Sequence, residues 1–165
     1  MVEEVVSKSS KRQHRESGSS NSVSPSPLKD VAVNTSSRLT TGEVELDRVL
    51  GGGVVVGSLI LLGGEPGIGK STLMLQVAIK ASEAGQKILY VSGEESPEQV
   101  RMRAVRIGEV PESLMILPET KVPIILNVLR KDDYSLLIVD SVQTLDQPEI
   151  DGVPGSVSQI RESVA

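Results

Sequence analysis

The chain has 165 residues, with 17 lysine and arginine side chains against 22 aspartate and glutamate side chains, and no cysteine, tryptophan or phenylalanine. The absence of cysteine excludes a disulfide framework, Cys-ligated zinc and a thiol nucleophile, and a single histidine leaves carboxylates as the only protein metal ligands. The residues after Arg38 carry a net charge of −7, which argues against a broad basic surface for nucleic acid.

The composition divides the chain into two predicted regions. Residues 1–38 contain eleven serines and almost no apolar pattern, so we expect a disordered Ser-rich tail, followed by one domain over residues 39–165. No apolar run of about 18 residues occurs, and Glu3 and Glu4 stand where a secretory signal carries basic residues. We therefore expect a soluble chain without a membrane segment. The sequence does not determine the compartment, which would be the cytoplasm if the source is a bacterium and could be an organelle if it is a eukaryote.

The first predicted elements lie between Leu39 and Leu62. Thr41 is expected to cap a short helix whose first turns carry acidic side chains, and Gly51–Gly53 end it. The apolar residues Ser58–Leu62 predict a strand.

A helix over about Lys70–Ala84 follows, with Gly85 as the residue that ends it. Its predicted core stripe has three- and four-residue spacing and consists of Leu73, Met74, Val77, Ala78 and Ala84. A strand is predicted next, over Lys87–Val91.

The second half of the chain continues the alternation of strands and helices. Ser96, Pro97 and Gln99 have the spacing of a capping box at the start of a helix. The further predicted elements are a strand at Leu114–Leu117, a helix at Pro123–Arg130, a strand at Leu136–Val139 and a last helix that Ser156 caps. Four consecutive apolar residues at Leu136–Val139 are typical of a strand covered on both faces. The fold class is therefore α/β, a parallel sheet with flanking helices.

A phosphate-binding loop lies between the strand at Ser58–Leu62 and the helix at Lys70. The match to G-x-x-x-x-G-K-[ST] consists of Gly64, Glu65, Pro66, Gly67, Ile68, Gly69, Lys70 and Ser71. Glycines let backbone N–H groups close around phosphate oxygens, and the helix N-terminus adds its positive dipole end. We expect Lys70 to reach the β- and γ-phosphates of ATP, Ser71 to join the Mg²⁺ shell and Thr72 to lie near the α-phosphate.

Two acidic positions follow predicted strands. Asp140 ends an apolar strand about seventy residues after the phosphate-binding loop, as a Walker B aspartate does, and is expected to hold the Mg²⁺ water shell. Glu94 and Glu95 follow the strand Lys87–Val91. One of these carboxylates could polarise an attacking water, or both could cap the helix at Pro97, and the residue types alone favour neither alternative.

Several longer segments resemble the RadA (Sms) branch of the RecA-like ATPases. They are RLTTG, ELDRVLGGG, GGEPGIGKSTLMLQVA, YVSGEES, LLIVDSVQT and PGSVSQIRE, in family order between Arg38 and Ala165. The resemblance implies a P-loop NTPase of RecA-like type that uses ATP and Mg²⁺. It also implies a DNA-stimulated ATPase that drives branch migration in recombinational repair, as a homo-oligomeric ring on DNA beside a recombinase.

The resemblance assigns further roles to individual residues. Glu94 matches the catalytic glutamate, which would act together with Lys70. The positions that would couple the nucleotide state to DNA are Gln143, Ser156, Ser158 and Arg161, although a solvated helix charge is the more ordinary role for Arg161. Members of the family usually begin with a four-cysteine zinc element and continue into a KNRFG segment and a protease-like domain, none of which occurs here.

The family's sheet inserts a later strand between the Walker A and Walker B strands, so we expect unpaired strand edges at that place. The hypothesis from these differences is a truncated RecA-like core with impaired hydrolysis. Two alternatives remain: a non-catalytic product that binds full-length homologues, and another P-loop NTPase or kinase. A guanine-reading N-K-x-D segment is absent, which argues against a GTPase.

Overall fold

We describe Pro27, Asp30 and residues 38–163 from a computed structural model of the chain. The predicted tail, residues 1–38, lies almost entirely outside these residues. None of the helices in the described part of the chain is long and apolar enough to cross a bilayer.

The N-terminal elements form a small antiparallel sheet around a short helix. Strand β1 (Arg38–Leu39) pairs with β2 (Val54–Val55), and helix α1 (Val44–Val49) lies between them in the chain. The prediction that Thr41 caps α1 is wrong, because Glu43 occupies the N-cap position without a side-chain cap. The Thr41 hydroxyl is engaged elsewhere: it donates to the Asp47 carboxylate at 2.8 Å.

The predicted strand Ser58–Leu62 is also wrong. Residues 59–62 have no regular secondary structure and make no backbone hydrogen bond to any described residue. Their side chains Leu59, Ile60, Leu61 and Leu62 are 36–80% exposed. A strand exists only where neighbouring strands accept its N–H groups and donate to its C=O groups. No strand of the described residues lies beside this segment, so its apolar composition alone does not make it a strand.

Helix α2 (Lys70–Glu83) ends as predicted, with Gly85 in a left-handed conformation after it. The stripe prediction is correct in part: Val77 and Ala78 are buried, but Ala84 is exposed. The buried face is wider than the predicted stripe and also includes Leu75, Ile79, Ala81 and Ser82.

The remaining elements form a three-stranded parallel sheet with helices on both faces. They are β3 (Ile88–Ser92), α3 (Pro97–Ile107), β4 (Leu114–Leu117), α4 (Val122–Leu129), β5 (Leu136–Asp140), a 3-10 turn (Val142–Thr144) and α5 (Val157–Ser163). The strand order is β4-β3-β5. All five residues of β3 are buried, as expected for a central strand with a neighbour on each side. Strand β5 has a partner on one side only, so the expected open edge is present in this part of the sheet.

Two apolar clusters cover the two faces of the sheet. Helices α2 and α3 pack on the face formed by Ile88, Tyr90 and Ile138, and helix α4 packs on the opposite face, against Leu89 and Val91. The alternation of side chains along a strand sends every second residue of β3 and β5 to the α2 face. This face leads directly to the phosphate-binding loop, because α2 begins at Lys70.

Candidate nucleotide-binding site

The phosphate-binding loop folds around the start of helix α2. Gly69 is the N-cap residue of α2 with φ 103°, and Gly67 has φ 80°. Both values lie in the left-handed region, where a side chain is strained, so the loop needs glycine at these two positions. The backbone thereby brings the N-terminal N–H groups of α2, and the positive end of its dipole, to the loop.

Lys70 folds back over its own loop. Its ammonium group donates hydrogen bonds to the carbonyl oxygens of Gly64 and Glu65, both at 2.8 Å. The loop residues Glu65, Pro66 and Ile68 are exposed. Ser71 and Thr72 continue the first turn of α2, with Ser71 half-buried and Thr72 exposed. The predicted phosphate-contacting residues therefore share one loop and one helix turn.

Asp140 ends β5 at the carboxyl edge of the sheet. The register pairs Ser92 with Asp140 and Tyr90 with Ile138, so Asp140 lies on the face of the sheet that α2 covers. The Tyr90 hydroxyl donates to Asp140 Oδ2 at 2.7 Å. The peptide bond between Asp140 and Ser141 is cis.

The loop after β3 is tied to the same edge. The Gly93 N–H donates to the Asp140 carbonyl oxygen at 3.1 Å, and the Ser141 hydroxyl donates to Glu94 Oε1 at 3.2 Å. A Cβ at Gly93 would meet the Thr144 hydroxyl. The Glu94 carboxylate is therefore held beside the end of β5, through a contact that the sequence analysis missed.

The structure separates the two glutamates that the sequence left undecided. Ser96 caps α3, accepting from the Gln99 N–H, while the Gln99 side chain accepts from the Ser96 N–H, so the predicted capping box is confirmed. Glu95, which precedes α3, forms a salt bridge with Arg103 of α3. Neither Glu94 nor Glu95 provides the cap, and Glu94 remains exposed at the strand edge.

The positions assigned to DNA coupling lie after β5. Gln143 is in the 3-10 turn that contacts the loop of Glu94 through Thr144, and the exposed Arg161 is on α5. Ser156 and Ser158 share a hydrogen bond between their hydroxyls at 3.2 Å. The structure thus groups Gln143 with the nucleotide edge, places Ser156 and Ser158 at the start of α5 and places Arg161 in the last turn of α5.

Gln159 organises the loop before α5 and was not identified from the sequence. Its side chain is 1% exposed. The amide Nε2 donates to the Ile150 carbonyl oxygen at 2.6 Å, and Oε1 accepts from the Gln147 N–H at 2.8 Å. A buried amide with both ends bonded to one loop fixes the path of that loop.

The oxygen atoms at this edge suit a hard divalent cation. Among the described residues no group of three or more histidine, cysteine, aspartate or glutamate side chains comes together. Mg²⁺ takes one or two protein oxygens and completes its octahedron with water and substrate phosphates. The Ser71 hydroxyl and the Asp140 carboxylate are oxygen ligands of the kind that Mg²⁺ takes, and within the described part of the chain no side chain or N–H group donates to Asp140 Oδ1.

Comparison with known proteins finds similar sequences over the whole chain. The family described as "ATPase: KaiC" matches residues 39–115. The chain is 45% identical to the DNA repair protein RadA of Bacillus subtilis (strain 168), over 100% of this chain and 36% of that protein. It is 49% identical to the DNA repair protein RadA of Campylobacter jejuni, over 82% of this chain and 30% of that protein. The corresponding protein of Streptococcus pneumoniae is 48% identical over 86% of this chain and 33% of its own length.

Proposed function

We propose, from the premise that this chain is a RadA-type sequence of the RecA-like ATPases, that residues 64–72 bind the triphosphate of ATP. The chain spans about a third of the length of the curated relatives it matches. The activity we propose for it is that of a DNA-dependent ATPase of recombinational repair, which acts in branch migration. The observation that carries the proposal is a glycine loop with Lys70 at the start of α2, whose buried face packs on the sheet face that carries Asp140.

When phosphates bind, Lys70 would exchange its present hydrogen-bond acceptors, two carbonyl oxygens, for phosphate oxygens. The Lys70 ammonium now donates to two carbonyl oxygens of its own loop. Phosphate oxygens carry negative charge, so the Lys70 ammonium gains a charge–charge attraction there that a neutral carbonyl oxygen does not offer. The β- and γ-phosphates would therefore displace the Gly64 and Glu65 carbonyls from Lys70, while the N–H groups of the loop and of α2 donate to the remaining oxygens.

Ser71 and Asp140 would provide the protein oxygens that hold Mg²⁺. Bound Mg²⁺ neutralises charge on the phosphates. Glu94 is the group that we assign to the attacking water. Its carboxylate is at the same strand edge and Ser141 donates to only one of its oxygens, so the other oxygen is free to accept a proton from water.

Hydrolysis by this chain alone is expected to be slow. The segment that enters the phosphate-binding loop, residues 58–62, is outside the sheet and exposed. Among the described residues, the support of the loop therefore comes from its α2 side. Catalysis requires the nucleophile and phosphate within a few tenths of an ångström of their productive geometry, and a misplacement of about 1 Å can cost 100-fold in rate.

DNA is the partner that we propose for the residues after β5. Gln143, Ser156, Ser158 and Arg161 lie in one stretch of chain that begins at the Asp140 edge. Contact between Thr144 and Gly93 connects this stretch to the loop of Glu94. Assembly into a ring and association with a recombinase belong to the same proposal.

Nucleotide binding is tested by thermal unfolding of the 165-residue chain with and without Mg-ATP. A ligand at 100 times its Kd stabilises the folded state by about 2.7 kcal/mol. We expect a rise in Tm that Lys70→Ala abolishes and that Lys80→Ala, a change on the same helix, leaves in place. Lys80 pairs with Glu43 at 2.9 Å, away from the loop. No rise in Tm for the unaltered chain would refute the proposal, and rapid DNA-stimulated hydrolysis would refute its slow-turnover part.

A second candidate function is binding to a complete RadA-type protein without catalysis. The observation that favours it is the run of exposed apolar side chains at residues 59–62, since large apolar patches mark interaction sites. Co-purification of the chain with a full-length homologue, lost in a Leu59→Ser/Leu61→Ser variant, would support it. A chain that binds Mg-ATP and stays monomeric beside the homologue would contradict it.

A further inference from the structure

Tyr90 is buried in the sheet, yet its polar end reaches the candidate metal site. Its side chain is 1% exposed, and its hydroxyl donates to Asp140 Oδ2 at 2.7 Å. We propose that Tyr90 is a positioning residue, which orients the Asp140 carboxylate for Mg²⁺ bound with ATP. This inference rests on the proposed function and deepens it, because it assigns a role in the same site to a residue buried in the core.

The strand register explains why the two side chains meet. Tyr90 pairs with Ile138 across β3 and β5, and Ser92 pairs with Asp140. Tyr90 and Asp140 are therefore diagonal neighbours on one face of the sheet, a separation that an aromatic side chain can span. The Tyr90 ring belongs to the apolar cluster beneath α2 and α3, so the position of its hydroxyl is determined by the core.

Packing alone does not explain the hydroxyl group of Tyr90. Phenylalanine would fill nearly the same volume under α2, whereas a buried phenol needs a hydrogen-bond partner. Among the side chains of the described residues, that partner is Asp140. A phenol is protonated at neutral pH, so the Tyr90 hydroxyl is the donor of this hydrogen bond and the Asp140 carboxylate is the acceptor.

A fixed donor on Oδ2 determines what the other oxygen can do. A carboxylate that accepts from a fixed O–H group favours the orientations that keep this hydrogen bond, so the directions open to Oδ1 are restricted. Partners that orient a metal ligand typically change metal affinity by 10- to 100-fold when they are removed. The geometry therefore predicts that Tyr90 affects the Mg²⁺ dependence of ATP binding rather than ATP binding itself.

The test uses Tyr90→Phe in the full chain, with Tyr134→Phe as the matched control. Tyr134 is the other tyrosine of the sequence and packs in the cluster on the opposite face of the sheet. The rise in Tm caused by ATP is measured as Mg²⁺ is increased, and again with ATP and EDTA. We expect Tyr90→Phe to raise the Mg²⁺ concentration for half-maximal stabilisation roughly 10- to 100-fold. The shift in EDTA should stay unchanged, and Tyr134→Phe should behave as the unaltered chain.

A second pair of variants separates positioning from packing. In an Asp140→Asn background, Tyr90→Phe should change the Mg²⁺ dependence no further, because the group through which Tyr90 acts is gone. An unchanged Mg²⁺ dependence in Tyr90→Phe, or an equal loss with and without Mg²⁺, would overturn the inference and leave the proposed function standing. Absence of any ATP-induced shift in the unaltered chain would instead contradict the proposed function, and this inference with it.

Discussion

The two flanks of the candidate site are built very differently. On one flank, Asp140 ends β5 and Glu94 follows β3, two strands that pair in register, and every residue of β3 is buried. On the other flank, the residues before the phosphate-binding loop pair with no strand of the described part of the chain and expose apolar side chains, with Leu61 80% exposed. Full burial of a leucine or isoleucine side chain stabilises a protein by about 1.5–3 kcal/mol. The comparison teaches that the carboxylates are fixed by the core, whereas the loop depends on α2.

The largest expected effect contrasts one core residue with one residue of the unpaired segment. Ile88→Ala should lower the free energy of unfolding by about 2–5 kcal/mol, because Ile88 is fully buried in β3 and its removal leaves a cavity. Leu61→Ala should change it by less than about 0.5 kcal/mol, as for other exposed positions. Denaturant unfolding measures both values. A loss of 2 kcal/mol or more in Leu61→Ala would break the comparison, since it would mean that this segment is packed.

The next effect contrasts two glycines. A methyl group at Gly93 would meet the Thr144 side chain, and Thr120 Cγ2 at 3.2 Å, while Gly63 has no neighbour within 4 Å of its added Cβ. Gly93→Ala should therefore cost about 1–3 kcal/mol through overpacking. Gly63→Ala should be close to neutral. Equal Tm values for the two variants would contradict the close contact between the loop of Glu94 and the turn after β5.

The smallest expected effect concerns Asp47 of α1, whose carboxylate accepts hydrogen bonds from Thr40 and Thr41, two residues that precede the helix. Burial acts to raise the pKa of Asp47, but hydrogen bonds from Thr40 and Thr41 outweigh it and lower the pKa below the usual 3.8. A lowered folded pKa contributes stability that is present above the unfolded value and is lost as the pH falls through the folded pKa. Asp47→Asn should thus cost about 1 kcal/mol at pH 7.

The control for Asp47→Asn is Glu45→Gln. Glu45 is also in α1, and its exposed carboxylate pairs with Arg48 on the surface. That pair is worth about 0–1 kcal/mol. Urea unfolding at pH 7 and at pH values below 3.8 compares the variants. A difference between Asp47→Asn and the unaltered chain that persists undiminished well below pH 3.8 would contradict the role of the ionised carboxylate.

The features that could be predicted from the sequence are those determined locally. The capping box at Ser96, the glycines of the phosphate-binding loop and the end of β5 at Asp140 each depend on a few neighbouring residues. The segment Ser58–Leu62 was predicted as a strand because its composition is apolar. Strand formation, however, depends on a partner from a distant part of the chain.

Hydrogen bonds between residues distant in the sequence could not be predicted from sequence patterns either. The contact from Tyr90 to Asp140 joins residues fifty positions apart, and the burial of Gln159 depends on the path of a loop. An apolar strand with one tyrosine is compatible with packing alone. The number of residues between the two side chains does not reveal the diagonal pairing, which follows from the parallel register of β3 and β5.

The measurement that tests the central claim most directly is amide hydrogen exchange of the chain with and without Mg-ATP. Without nucleotide, residues 58–64 should exchange quickly and Ile88–Ser92 slowly, because only the latter donate within the sheet. Mg-ATP should slow exchange at residues 64–72 and leave β4 unchanged, and Lys70→Ala should remove this protection. Exchange at residues 64–72 that is the same with and without Mg-ATP would contradict the claim that this loop binds the nucleotide.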